Sequence, residues 1–258
     1  MTLPPFHWWR TVFLLIPAIA CYTIALGALS LVVGLVDRRG VATHRCAQWW
    51  ARLILWTSRV RIELRGQPLP PAGASCVFVA NHSSIYDTPI LFSALAHQLR
   101  VMAKATLGYV PFIGWHLARS GHLLVNRKNP GAAILKKMQR MIGQGASLMV
   151  FPEASRSSDG RLKPFKPGIF LLAIESGLPI VPVSVVGSRV VMPKGRLMVC
   201  PATVQVILHE SVPTKGLTRR DTRALAERVR AIVGSAVPGS GTGVFSTESG
   251  GQVPEVSV

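Results

Sequence analysis

Hydrophobic and polar positions divide the chain into two regimes. From Thr11 to Val36 no residue is charged. A run of that length suits a helix that spans or lies in a bilayer, and Pro17, Gly27 and Gly34 leave open a hairpin or re-entrant form. The next segment, CAQWWARLILWTSRVR, mixes Trp49, Trp50 and Trp56 with Arg52, Arg59 and Arg61. Aromatic rings beside basic groups suit a helix at the headgroup level, or an amphipathic helix packed on a domain. Beyond it the period changes. RIELRG, ASCVFVA, RVMAKA, GHLLVN, SLMVF and PIVPVSVVG are short apolar runs with strand character. Between them, TPILFSALAH, PGAAILKKMQRMIGQG (with Pro130 near its start) and PGIFLLAIESG have helical character. RLMVC and TVQVILHE read as a closing strand pair, and TRRDTRALAERVRAIVG as a basic amphipathic helix.

That alternation predicts an α/β fold: a mixed, mostly parallel sheet covered by helices, preceded by a hydrophobic, membrane-associating helical segment. The expected division is an N-terminal anchoring region over 1–59, a globular domain over 60–238, and a Gly/Ser/Thr-rich disordered tail over 239–258. Charge flanking the apolar run is heavier on its C-terminal side, with Arg38, Arg39 and Arg45. The positive-inside rule therefore places the globular domain on the cytoplasmic side of a membrane.

Composition narrows the partners. Mean hydropathy is +0.36 and net charge is +18, with a pI near 11.2. Such a surface needs an anionic partner, and its apolar character favours a membrane over nucleic acid, for which no zinc-finger, RRM or basic-zipper signature is present. Four scattered cysteines, with no CxxC spacing, fit reduced thiols rather than a disulfide framework or structural zinc. No HExxH or carboxylate cluster calls for a metal.

The chemistry concentrates in NHSSIYD, Asn81 to Asp87. His82 and Asp87 are five residues apart, a spacing that does not share a helix face. If a helix starts just after His82, with Ser83 or Ser84 as its cap, Asp87 in the first turn reaches back to the imidazole. It then fixes the tautomer and leaves the other ring nitrogen as a base. The plainer alternative is that Asp87 only tidies a helix start. No GxSxG elbow is present to support a serine hydrolase. His116, His122 and His209 lack a partner at meaningful spacing and read as structural, and Arg127 is as consistent with a surface position as with a phosphate contact.

Three further stretches join the first: KATLGYVPFIGW from Lys104, FPEASRSSDGRLKPFKPG from Phe151, and LPIVPVSVVG from Leu178. In order and spacing the four resemble the motifs of the glycerolipid acyltransferase family, most closely its 1-acyl-glycerol-3-phosphate acyltransferases, over roughly Val60 to Glu210. Asn81, His82 and Asp87 match the first motif. Lys104, Leu107, Pro111 and Gly114 match the second. Phe151, Pro152, Glu153, Arg156 and Ser157 match the third, and Pro182 the fourth. Ser155 stands where threonine is usual, and Ala154 where glycine is usual; a turn needing positive φ would strain an alanine there.

The resemblance implies that His82 and Asp87 are catalytic. It implies that Asn81, Lys104, Phe151, Pro152, Glu153, Ser155 and Arg156 bind substrate. Arg156 and Lys104 are the candidates for a phosphate, while Glu153 would accept from the acceptor's hydroxyl or orient Arg156. It also implies acyl transfer from acyl-CoA or acyl-carrier protein, as co-substrate with no further cofactor, to lysophosphatidic acid. Transfer to another lysolipid, such as a lyso-ornithine lipid, and a non-catalytic lipid-binding role are the alternatives. Membrane lipids are expected partners and nucleic acid is not.

Overall fold

The computed structural model describes residues 5–71, 73–125 and 133–238. Arg127, Pro130 and the tail expected over 239–258 lie outside the described residues. The apolar N-terminal run forms one 28-residue helix, α1, over Phe6–Val33, long and apolar enough to cross a membrane. Pro17 sits at the second position after a π-helical turn over Thr11–Leu15, where its missing N–H costs little. After a short linker comes α2, Val41–Ser58, whose Ala51, Ile54 and Leu55 are buried while Trp49 and Trp56 stay exposed.

α1 lies lengthwise on the rest of the protein. Arg10 donates to the Ser58 carbonyl (3.1 Å), and Thr11 accepts from the Val199 amide (2.9 Å). Tyr22 meets Thr57, Trp50 donates to Thr23, and Ser30 meets His116. These bonds are spread from the first turns of the helix to its last, so no hairpin or re-entrant form occurs.

The sheet follows: β1 Val60–Gly66, β2 Val77–Ala80, α3 Asp87–Ala94, β3 Leu99–Lys104, α4 Ile113–Arg119, β4 Leu123–Val125, α5 Ala133–Gly143, β5 Ser147–Val150, α6 Gly168–Ser176, β6 Ile180–Val186, α7 Ser188–Val191, β7 Ala202–Leu208 and α8 Thr222–Gly234. Seven strands form one sheet in the order β1-β7-β6-β2-β5-β3-β4. Every pairing is parallel except β6 with β7. β2 and β5 are buried along their whole length, as expected of strands covered on both faces. One core, with Phe78, Ile90, Leu91 and Val101, lies between the sheet and α1–α3; the other, with Val79, Met138, Phe170 and Val229, lies under α5, α6 and α8.

One expectation needs correction. RLMVC does not pair with β7; residues 196–200 form no strand. Their amides are taken elsewhere: Val199 donates to Thr11 on α1 and Cys200 to the Val191 carbonyl on α7. β7 pairs instead with β1 and β6.

Candidate active site

The parallel strands β2, β5 and β3 end on one edge of the sheet, and the motif residues follow those ends. Asn81 is 2% exposed and uses both ends of its amide on β6. Nδ2 donates to the Val185 carbonyl (2.9 Å), and Oδ1 accepts from the Val185 amide (2.7 Å). It locks the strand end from which His82 leaves.

His82 and Asp87 meet. Nδ1 of His82 lies 2.8 Å from Oδ2 of Asp87, which also accepts the Ser83 and Ser84 amides at 2.7 and 2.8 Å. Asp87 is fully buried. A carboxylate only accepts, so Nδ1 carries a proton and the neutral ring keeps its lone pair on Nε2. α3 begins at Asp87, with Tyr86 at its N-cap position and no side-chain cap there; Ser84 acts in the turn just before it, its Oγ accepting the Tyr86 amide (3.3 Å) and its own amide donating to Asp87. The Ser84 hydroxyl donates to the Met192 carbonyl. Phe151 stacks on the imidazole, centroids 4.2 Å apart and planes within 15°.

Glu153 is 5% exposed and is spent on backbone. Oε1 accepts the His82 amide (2.7 Å) and Oε2 the Lys163 amide (3.0 Å). Burial pushes its carboxyl up, opposed by these amides. The Ser157 amide donates to the His82 carbonyl (2.8 Å), so the peptide groups on both sides of His82 are held by the third motif. Lys163 donates from Nζ to Ser155 (3.1 Å) and to the Arg156 carbonyl (2.8 Å); Lys194 reaches the same carbonyl (3.2 Å). These two lysines sit beside Arg156, and no spacing pattern in the sequence pointed to Lys194. Pro152 is buried, its carbonyl accepting from the Lys166 amide.

Ala154 has φ +62°, the left-handed conformation in which a Cβ is strained. The second motif has a packing reason. A Cβ on Gly114 would lie 2.3 Å from the Leu107 carbonyl oxygen, so only glycine lets α4 close on the turn after β3. Phe112 takes φ +59°, ψ −62° in a γ-turn closed by the Ile113 amide on the Pro111 carbonyl (2.7 Å), and it lies against Gly27 of α1.

Below His82 opens an apolar cavity of about 530 Å³ between α1, α2 and the sheet. His82, Phe151, Ala154, Lys104 and Leu107 line it at the sheet edge, and Leu15, Ile19, Ala47 and Trp50 along the helices. His116 and His122, expected to be structural, also line it. His209 bonds Ser184 (2.8 Å) away from the cavity. A ring nitrogen with a free lone pair thus stands at one end of an apolar space, with cationic side chains nearby. Such a site can take a proton from a hydroxyl whose oxygen attacks a group carried on an apolar chain.

Comparison with known proteins gives the same class: residues 61–186 match the family model described as Acyltransferase. The chain is 31% identical over 193 residues to the 1-acyl-sn-glycerol-3-phosphate acyltransferase of Pseudomonas aeruginosa, covering 72% of this chain and 74% of that protein. It is 33% identical to the chloroplastic relative BAT2 of Brassica napus, over 66% of this chain and 50% of the relative. The chain thus spans about half the length of the plant relative. The crystal structure of the 1-acyl-sn-glycerophosphate acyltransferase PlsC from Thermotoga maritima shares the fold, with TM-score 0.72 at 24% identity, covering 88% of this chain and 96% of that one. The chain belongs to the 1-acyl-sn-glycerol-3-phosphate acyltransferase family.

Proposed function

We propose that this protein transfers a fatty acyl group from a thioester, acyl-CoA or acyl-carrier protein, to the free hydroxyl of 1-acyl-glycerol-3-phosphate, giving phosphatidic acid. The observation that carries the reading is the His82–Asp87 pair at the mouth of the apolar cavity. The acyl chain lies in the cavity with its thioester carbonyl at His82. Nε2 takes the proton of the acceptor hydroxyl as its oxygen adds to the carbonyl carbon. Asp87, ionised against Nδ1, stabilises the imidazolium that results. The tetrahedral intermediate collapses with cleavage of the C–S bond, and the imidazolium proton goes to the departing thiolate. Arg156, with Lys104 and Lys194, supplies positive charge for the acceptor's phosphate, the guanidinium offering two parallel donors.

The helix α1 supports membrane attachment without a crossing. Its bonds to Ser58, Val199 and His116 hold it along the domain, while Phe13, Leu14 and Val32 face outward. In this reading α1 and the exposed Trp49 and Trp56 of α2 lie in one leaflet, and Arg38, Arg39 and the catalytic domain stay on the cytoplasmic side.

The test is thiol release from acyl thioesters by membranes carrying the protein, with lysophosphatidic acid and a panel of other lysolipids, and His82→Ala as control. Release that needs lysophosphatidic acid and is lost in the control is expected. Equal release with phosphate-free lysolipids would overturn the acceptor, and release surviving in a folded His82→Ala variant would overturn the mechanism.

A further inference from the structure

The apolar cavity does not end in hydrocarbon. His116 and His122 close it at the end away from His82, their rings 5.4 Å apart and both residues more than nine-tenths buried. His122 Nδ1 accepts the Val101 amide at 2.9 Å. Burial holds this imidazole neutral, helped by the neighbouring His116 and Arg100. A neutral ring that accepts at Nδ1 carries its proton on Nε2. No acceptor for that N–H is present among the described residues. His122 lines the cavity, and Nε2 is the ring nitrogen that Val101 leaves for it. His116 adds to the polar end, its Nδ1 2.5 Å from the Ser30 hydroxyl.

A hydrogen-bond donor at the end of an apolar cavity is costly while unpaired, and it rewards a ligand that brings an acceptor. We propose that the cavity selects acyl chains carrying a mid-chain oxygen, a hydroxyl or keto group, which the His122 Nε2–H holds. The inference rests on the reading of the cavity as the acyl site. Strand register sets the position. Val101 and Phe78 both pair with Met149, so they stand level across the sheet. His82 is four residues beyond Phe78, about 13 Å at roughly 3.3 Å per residue. Single bonds of about 1.5 Å at angles near 111° advance an extended chain by about 1.25 Å per carbon. The oxygen then belongs about ten carbons from the thioester carbonyl.

The experiment uses the full chain in membranes and octadecanoyl thioesters whose single hydroxyl is walked along the chain. Positional isomers share one desolvation cost, so differences among them report the fit of the oxygen. We expect kcat/KM to peak near the tenth carbon, about tenfold above isomers displaced by several carbons on either side, the ratio worth one buried hydrogen bond. The peak is expected to vanish in His122→Phe. A flat profile in the unmodified protein overturns the proposal without any variant, and assigns the N–H to an ordered water. So does a peak that persists in His122→Phe. Displacement of a fluorescent fatty acid by the free hydroxy acids separates this inference from the acyl-transfer reading. A positional peak in displacement without turnover of any thioester would reject acyl transfer and keep the selectivity; flat displacement rejects the selectivity.

Discussion

Replacing Glu153 by glutamine exchanges one oxygen for an NH2 group, and the structure makes that exchange severe. The two carboxylate oxygens each accept a different backbone amide, His82 at 2.7 Å and Lys163 at 3.0 Å. Glutamine has one acceptor oxygen. One amide therefore keeps a neutral bond in place of a charge-assisted one, and the other faces a donor. The lost charge-assisted bond is worth about 1.5–3 kcal/mol and the orphaned buried amide costs about 1–3 kcal/mol. Relief of a buried charge offsets part of this. We expect a net loss of about 2–4 kcal/mol, or a fall in Tm of roughly 5–15 °C for a chain of this size. Turnover should fall with it, because displacing His82 by about 1 Å costs on the order of a hundredfold. KM for the lysolipid should hold, since both oxygens are already occupied by backbone. Thermal unfolding in detergent, with kcat and KM measured on the same preparation, checks this. A Glu153→Gln protein with unchanged Tm and a raised KM for the acceptor would refute the clamp and return Glu153 to substrate binding.

Other outcomes follow from the same geometry. Asp87→Asn should lower kcat by about 10²- to 10⁴-fold, and the double variant with His82→Ala should be no slower than His82→Ala alone; multiplied losses would separate the two residues. Arg156→Ala should raise KM for phosphate-bearing lysolipids and leave phosphate-free ones unchanged, read from a two-acceptor comparison. Ala154→Gly should stabilise by about 0.5–1 kcal/mol, the left-handed strain of alanine less the extra chain entropy of glycine, seen as a small rise in Tm. Acid should unfold the protein early. Burial, together with Arg100, holds His44 and His116 to about 4, against an ordinary value of 6.5. Between those values the unfolded chain binds protons that the fold refuses, so stability is intact above pH 6.5 and drains as pH falls toward 4, by up to about 3 kcal/mol per histidine. Denaturant midpoints that do not move over that range would count against neutral buried imidazoles.

Much of the site was legible because its signals are local. The five-residue step from His82 to Asp87 implied a turn into a helix, and that turn is present. The alanine in FPEASRS flagged a left-handed position, and φ at Ala154 is +62°. What the sequence hid is joined across long stretches of chain. Glu153 reaches His82 across 71 residues, and Asn81 reaches Val185 across 104. No periodicity encodes such bonds. RLMVC misled for a related reason: its apolar residues look like a strand, but Thr11, 188 residues earlier, takes the Val199 amide. His116 and His122 were passed over because the residues that give them meaning, Ser30 and Val101, lie on elements that only the folded sheet and helix bring together.

The π-helical turn over Thr11–Leu15 has a consequence for how the first helix is phased. A π turn holds one residue more than the α-helical ladder around it, and each α-helical residue advances the helix by about 100°. Removing one residue from this turn would keep the helix but rotate Phe6–Arg10 by about that angle relative to everything after it. Arg10 would lose the Ser58 carbonyl, and Trp9, now 42% exposed, would swing to another side. The turn thus acts as a gear tooth: it sets the phase of Phe6–Arg10 against the rest of the helix, so that the grip of Arg10 and the outward face of Trp9 are fixed together.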